Sequence, residues 1–122
     1  KLKKILANIF SRENFDSFDI IIDDGSHYLS DILFSLGCLF KHLNKNGTYV
    51  IEDFKHPNYY EYNKDIDDIL VDELIKKLKK KEFFNSSYLT ADDQSFLIKS
   101  VAAVDVYKGN LSDSDICFIK KK

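Results

Sequence analysis

The stretch Phe18-Asp19-Ile20-Ile21-Ile22-Asp23-Asp24-Gly25-Ser26-His27 decides how the chain is read. Successive isoleucines are stiff at χ1 and favour an extended backbone. Apolar residues at consecutive rather than alternate positions predict a parallel strand covered on both faces. The run stops at two acids and a glycine, which is turn chemistry. Thr48-Tyr49-Val50-Ile51 repeats the pattern and also stops at acids, Glu52-Asp53. Between the two, Ile32, Leu33, Leu36, Leu39, Phe40 and Leu43 recur at helical spacing, which predicts a helix over Ser30–Leu43. Asn44-Lys45-Asn46-Gly47 reads as the turn that closes it.

Working outward, Leu2, Ile5, Leu6 and Ile9 predict an amphipathic helix over Lys1–Phe10, broken by the polar residues that follow. After the second strand come a loop at His56-Pro57-Asn58 and the crowded Tyr59, Tyr60 and Tyr62. Ile66, Ile69, Leu70, Leu74 and Leu78 then predict a further helix. Phe83–Leu89 reads as a strand or an extended connection, and Thr90-Ala91-Asp92-Asp93 as a capped helix start. Val101–Tyr107 and Ile116–Ile119 read as strands joined by a polar loop, able to pair as a hairpin. Alternating strands and helices followed by a hairpin make an α/β fold.

The bulk properties narrow the function. At 122 residues, 44% hydrophobic and 31% charged, the chain is a single globular domain or part of one. A formal charge of −2 offers no attraction to nucleic acid or to an anionic membrane, so neither is expected as a partner. No apolar run approaches the ~18 residues of a membrane span, and no secretory leader is visible. Lysines cluster at Lys76–Lys81 and Lys120–Lys122 and read as a solvated helix end and a frayed terminus. Cys38 and Cys117 lie in apolar runs without metal-type spacing. They read as buried thiols of a reducing compartment, with the cytoplasm expected. The sequence holds no methionine and opens directly in a helical pattern, so further sequence is expected upstream.

In open α/β sheets the ligand lies beyond the carboxyl ends of the parallel strands. Here those ends carry Asp23-Asp24 and Glu52-Asp53, carboxylates that repel unless hydrated or neutralised. A divalent cation neutralises them, and oxygen donors select a hard one: Mg²⁺, Mn²⁺ or Ca²⁺. Helix capping by Asp24 or Ser26 is the competing reading. His27 follows at the helix entry, where an imidazole serves either as a general base or as a structural group. His42 reads as a surface residue and His56 as a wall of the same cleft. The tyrosines read as loop packing, with stacking on a sugar face as the alternative.

The strand end Ile22-Asp23-Asp24-Gly25-Ser26-His27 and the strand end Tyr49-Val50-Ile51-Glu52-Asp53, taken together, resemble the second half of a class I S-adenosylmethionine-dependent methyltransferase. More narrowly they are similar to the macrocin and mycinamicin sugar O-methyltransferases and to cephalosporin-hydroxylase-like proteins. The resemblance is close over Phe18–Phe54. It implies the C-terminal part of a Rossmann-like sheet, with parallel strands, helices and a closing antiparallel hairpin. It implies Asp24, Glu52 and Asp53 as Mg²⁺ ligands, His27 as the base, and a sugar-like hydroxyl as acceptor. The family's glycine-rich cofactor loop has no counterpart among Gly25, Gly37, Gly47 and Gly109. Residues 1–122 are therefore expected to form a partial domain without the strands that bind S-adenosylmethionine. Residues 18–22 would then present an exposed strand edge through which copies associate. Three readings stand at this point: part of an enzyme, a non-catalytic metal- or sugar-binding remnant, or an α/β piece whose acids only cap helices.

Overall fold

In chain order the elements are α1 (Leu2–Glu13), β1 (Phe18–Asp23), α2 (Leu29–Leu39), β2 (Leu43–Glu52), α3 (Val71–Lys80), α4 (Ala91–Ser100), β3 (Val101–Tyr107) and β4 (Ile116–Lys121). The structure is a computed structural model and describes residues 1–13, 17–55, 61–111 and 114–122. The four strands form one sheet in the order β1-β2-β4-β3. β1 and β2 are parallel, with Ile21 opposite Tyr49 and Asp23 opposite Ile51. β4 runs antiparallel to both its neighbours, so that β3 and β4 close the sheet as a hairpin.

The register sets the two faces of the sheet. Ile21, Tyr49, Ile119 and Val104 form one cross-strand row, and Asp23, Ile51 and Cys117 the next. Both rows belong to the core face, against which the apolar stripes of the helices pack. α2 contributes Leu29, Ile32, Leu33 and Leu36, α3 contributes Val71, Leu74, Ile75 and Leu78, and α4 contributes Leu97. Each such side chain stabilises the fold by roughly 1.5–3 kcal/mol when fully buried. α3 also carries Asp72 and Glu73 in its first turn and lysines in its last, matching the helix dipole. α4 opens with a capping box in which Thr90 Oγ1 accepts the Asp93 N–H and Asp93 Oδ2 accepts the Thr90 N–H, each at 3.1 Å.

Several expectations are corrected. β1 is not covered on both faces: Ile20 and Ile22 are 63% and 59% exposed, on the face away from the helices. α1 runs on through Ser11 to Glu13, and its Phe10 ring lies 4.8 Å from His42, which is packed rather than a surface residue. α2 stops at Leu39, and Leu43 already belongs to β2. Asn44–Gly47 is not a turn between elements but an irregularity inside β2, where the pairing jumps from Phe18–Leu43 to Ile20–Thr48. Gly47 is required there, since a Cβ would lie 2.9 Å from the Asn44 carbonyl oxygen and 3.0 Å from that of Asp19. α3 begins at Val71 rather than at Ile66; Ile66, Ile69 and Leu70 pack on the core as a non-helical lead-in. Phe83–Leu89 is an extended connection outside the sheet. The terminus is not frayed, for Lys121 Nζ donates to the Leu43 carbonyl at 2.6 Å and Lys122 N–H to that of Ser100 at 2.7 Å. Cys38 and Cys117 are free and buried, and burial pushes the Cys117 thiol up to about 12.

Candidate metal-binding site at the ends of two parallel strands

Because β1 and β2 are parallel and in register, their carboxyl ends open side by side, with Asp24 just past β1 and Asp53 just past β2. The turn after β1 then brings His27 back over the same spot. Asp24, His27 and Asp53 each offer one ligand atom, and these atoms all lie within 4.8 Å of one another. His27 Nε2 and Asp24 Oδ1 are 3.9 Å apart, too far for a direct hydrogen bond. Donor atoms on opposite sides of a hard cation, with ligands at about 2.0–2.6 Å, are separated by about 4–5 Å. The two carboxylates are close enough to share such an ion, while the imidazole of His27 is a softer donor better suited to a proton-transfer role beside it.

Two of the three residues hold a backbone conformation that side chains disfavour: φ is 61° at His27 and 51° at Asp53. Each left-handed residue costs roughly 1–2 kcal/mol, and such strain persists only where the surroundings impose it. At Asp53 the N–H donates to the Asp115 carbonyl at 3.0 Å. Asp115 is itself buried, with its carboxylate 3.3 Å from Lys55 Nζ. At His27 the hold comes from the short turn Glu61–Asn63: Asn63 Nδ2 donates to the His27 carbonyl at 3.0 Å, and Tyr62 Oη to the Ser26 carbonyl at 3.2 Å.

The helix-capping reading is not what the structure shows at α2. The N-cap is Tyr28, and it makes no side-chain cap bond. The Leu29 N–H is satisfied from afar by Asn63 Oδ1 at 2.9 Å. Ser26 Oγ accepts the Tyr28 N–H at 3.2 Å and donates to Asp31 Oδ2 at 2.6 Å, and Asp24 faces His27 instead. Glu52 closes β2 opposite Ile116, half-buried and outside the three-residue group. By strand alternation it lies on the same side of the sheet as Val50, opposite the row that packs on the helices. Asp23 points the other way, into the core face. Burial raises its carboxyl above the ordinary 3.8, only partly offset by the Gly25 backbone N–H and by His27. Its Oδ2 and the hydroxyl of Tyr49 are both buried, and among the described residues neither has a hydrogen-bond partner. Burial, then the Asp23 charge, raise the Tyr49 hydroxyl as well.

Sequence reasoning passed over Asn63, Asp115 and Lys55, whose roles arise from tertiary placement alone. His56, Tyr59 and Tyr60 lie outside the described residues. Tyr62 is exposed at the site, with its ring 4.3 Å from that of Tyr28.

No family model matches the chain. Curated sequences do match it over a short segment. The mycinamicin VI 2''-O-methyltransferase of Micromonospora griseorubida is 49% identical over 39 residues, 32% of this chain and 10% of that protein. The L-olivosyl-oleandolide 3-O-methyltransferase of Streptomyces antibioticus is 49% identical over 41 residues, 34% and 11% respectively. The demethylmacrocin O-methyltransferase of Streptomyces fradiae is 49% identical over 39 residues, 32% and 10%. Among solved structures, the mycinamycin-pathway methyltransferase MycE in complex with Mg, S-adenosylhomocysteine (SAH) and mycinamycin VI superposes with a TM-score of 0.65 at 25% identity, over 97% of this chain and 29% of that one. A crystal form with Mg and SAH gives 0.61 at 23% identity, over 97% and 28%. The matched segments span about a tenth of the curated relatives, and the chain spans less than a third of the structural neighbours.

Two parallel strands ending in acids, continued by a closing antiparallel hairpin, thus form a partial Rossmann-like sheet with the fold of part of the MycE methyltransferase. Over 39 to 41 residues the sequence is similar to the macrocin- and mycinamicin-type O-methyltransferases. Among the described residues no helix is long and apolar enough to cross a membrane.

Proposed function

We propose that this chain is the metal- and acceptor-binding part of an S-adenosylmethionine-dependent O-methyltransferase acting on a hydroxyl of a sugar-like small molecule. The observation that carries the reading is the convergence of Asp24, His27 and Asp53 within 4.8 Å at the carboxyl ends of two parallel strands. Asp24 and Asp53 would hold Mg²⁺ through carboxylate oxygens, and Glu52, which ends β2 outside the three-residue group, would join them only if its side chain turned toward the ion. The ion, when bound, supplies the positive charge that lowers the pKa of a coordinated hydroxyl. S-adenosylmethionine supplies the reactive methyl group, and the residues that bind it are not identified in this chain.

The chain's own residues do three things. The carboxylates fix the direction from which an acceptor can approach. His27, through Nε2 on the side of Asp24, takes the proton from the acceptor hydroxyl. The exposed rings of Tyr28 and Tyr62 border the site and offer an apolar face to a sugar ring. Association through the edge at residues 18–22 belongs to the same proposal, since β1 is an edge strand flanked by exposed Ile20 and Ile22. The buried free thiols suit a reducing compartment such as the cytoplasm.

A second reading is a metal- or partner-binding remnant without transferase activity, since Asp24, His27 and Asp53 could hold a cation without any methyl donor. Calorimetric titration of SAH into the chain with Mg²⁺ present tests both. Micromolar binding supports the transferase. Mg²⁺ binding that is lost in Asp24→Ala and Asp53→Ala, with no SAH heat, supports the metal site and leaves the cofactor to be bound by sequence outside residues 1–122, and no heat from Mg²⁺ overturns both readings.

A further inference from the structure

Asn63 is only 1% exposed, yet it carries a carboxamide. A buried amide is tolerated when its donors and acceptors are matched, and here the matching is to backbone. Oδ1 accepts the Leu29 N–H at 2.9 Å, and Nδ2 donates to the His27 carbonyl at 3.0 Å. These two groups bracket Tyr28. The direction of the His27 carbonyl is set by the ψ angle of His27, and the Leu29 N–H is an orphan donor at the start of α2. One side chain therefore pins the turn from both ends.

What it pins is a strained conformation, for φ at His27 is 61°. In the ordinary helical or extended region the Cα–Cβ bond of residue 27 would point elsewhere, and the imidazole would leave Asp24 and Asp53. The neighbouring Tyr62 adds its bond to the Ser26 carbonyl, so the turn Glu61–Asn63 holds the backbone before and after His27.

We infer that Asn63 is a positioning residue that aims the His27 imidazole at the acidic pair, through its paired hydrogen bonds to the His27 carbonyl and the Leu29 N–H. The inference rests on the reading of Asp24 and Asp53 as a cation site only for its first test; a second test is independent of that reading.

The first test uses substoichiometric Mn²⁺ alone as a paramagnetic probe on the isotopically labelled 122-residue chain. In the unmodified chain the ring protons of His27 and the amides of Asp24 and Asp53 broaden. In Asn63→Ala the two amides stay broadened, while the His27 ring signal recovers several-fold. A His27 ring broadened as in the unmodified chain overturns the inference. If Asn63→Ala does not fold, Asn63→Asp replaces it, keeping the acceptor for Leu29 N–H and removing the donor to His27. If Mn²⁺ broadens nothing in the unmodified chain, the cation reading fails, and the second test alone judges Asn63. That test is a double-mutant cycle with His27→Gly, which adopts the left-handed conformation without strain. The fall in melting temperature caused by Asn63→Ala is expected to be clearly smaller in the His27→Gly background. Equal falls in both backgrounds overturn the inference.

Discussion

Asp24→Asn should reverse its effect on stability between a chelator and a magnesium buffer. Ligand atoms of Asp24 and Asp53 lie within 4.8 Å. Two unit charges at such a separation repel by about 1 kcal/mol with full water screening and by about 3–4 kcal/mol at an effective dielectric near 20. The Asp24 side chain is 56% exposed, so the lower figure governs. Removing that charge should therefore raise the melting temperature in chelator by roughly 4 °C, the shift that about 1 kcal/mol gives in a domain near this size. Magnesium acts in the opposite sense. At a hundred times its dissociation constant it would stabilise the unmodified chain by about 2.7 kcal/mol, roughly 10 °C, and the variant far less. The variant is thus the more stable protein in chelator and the less stable one in magnesium. Scanning calorimetry at low ionic strength reads both orders, since surface charges are then least screened. If magnesium raises both proteins equally, or the variant is the weaker in chelator, the carboxylates do not form a repelling pair awaiting a cation.

Further outcomes follow from the same geometry. Burial holds the Asp23 carboxyl above 3.8, so its contribution to stability is fully present at low pH and lost as pH rises through the raised folded-state value. Asp23→Asn should therefore stabilise the chain most near pH 8 and least near pH 4; urea midpoints whose difference ignores pH would contradict this. Ile22→Lys places a charge on the bare sheet face beside the β1 edge and should shift the light-scattering mass toward a monomer. An unchanged mass would remove that face from any association. Gly47→Ala forces a Cβ to 2.9 Å and 3.0 Å from two carbonyl oxygens and should destabilise by roughly 1–3 kcal/mol, with faster amide exchange in β1. An unchanged urea midpoint would show that the irregularity in β2 yields freely.

The parts of the fold that were legible in the sequence are those with a local cause. Runs of β-branched residues ending in acids gave β1 and the second half of β2. Thr90 and Asp93, at capping-box spacing, gave the start of α4, and the polar loop between two apolar runs gave the hairpin. Where a local pattern had two physical readings, tertiary packing chose. Asn44–Gly47 has turn composition, yet Lys121 donating to the Leu43 carbonyl and the approach of Gly47 to Asp19 draw it into the sheet. Ile66, Ile69 and Leu70 have helical spacing, but Asp68 Oδ1 takes the Ile69 N–H and its Oδ2 that of Ser87, which ties the segment down before a helix can start. At the candidate site, the strand-end acids Asp23-Asp24 and Glu52-Asp53 were visible as a pattern, and the family resemblance singled out Asp24, Glu52, Asp53 and His27, of which Asp24, Asp53 and His27 converge. Asn63 and Asp115 were not visible, because a polar residue that supports another's backbone leaves no periodicity of its own. Their common signal is three-dimensional: each holds a residue with positive φ.

The insertion of β4 between β2 and β3 also governs the order in which the sheet can be built. β1 and β2 join through a single helix and can pair early. β3 emerges next during synthesis, but among the described residues its one neighbour in the sheet is β4, which has not yet been made. Until residues 116–121 follow, β2 offers one open side and β3 has no strand to bind. The nascent chain thus carries two unpaired strands at once, the condition in which non-native pairing and aggregation compete with folding. For these four strands, pairing of β3 waits for residues 116–121, which take a place between β2 and β3 rather than at the rim.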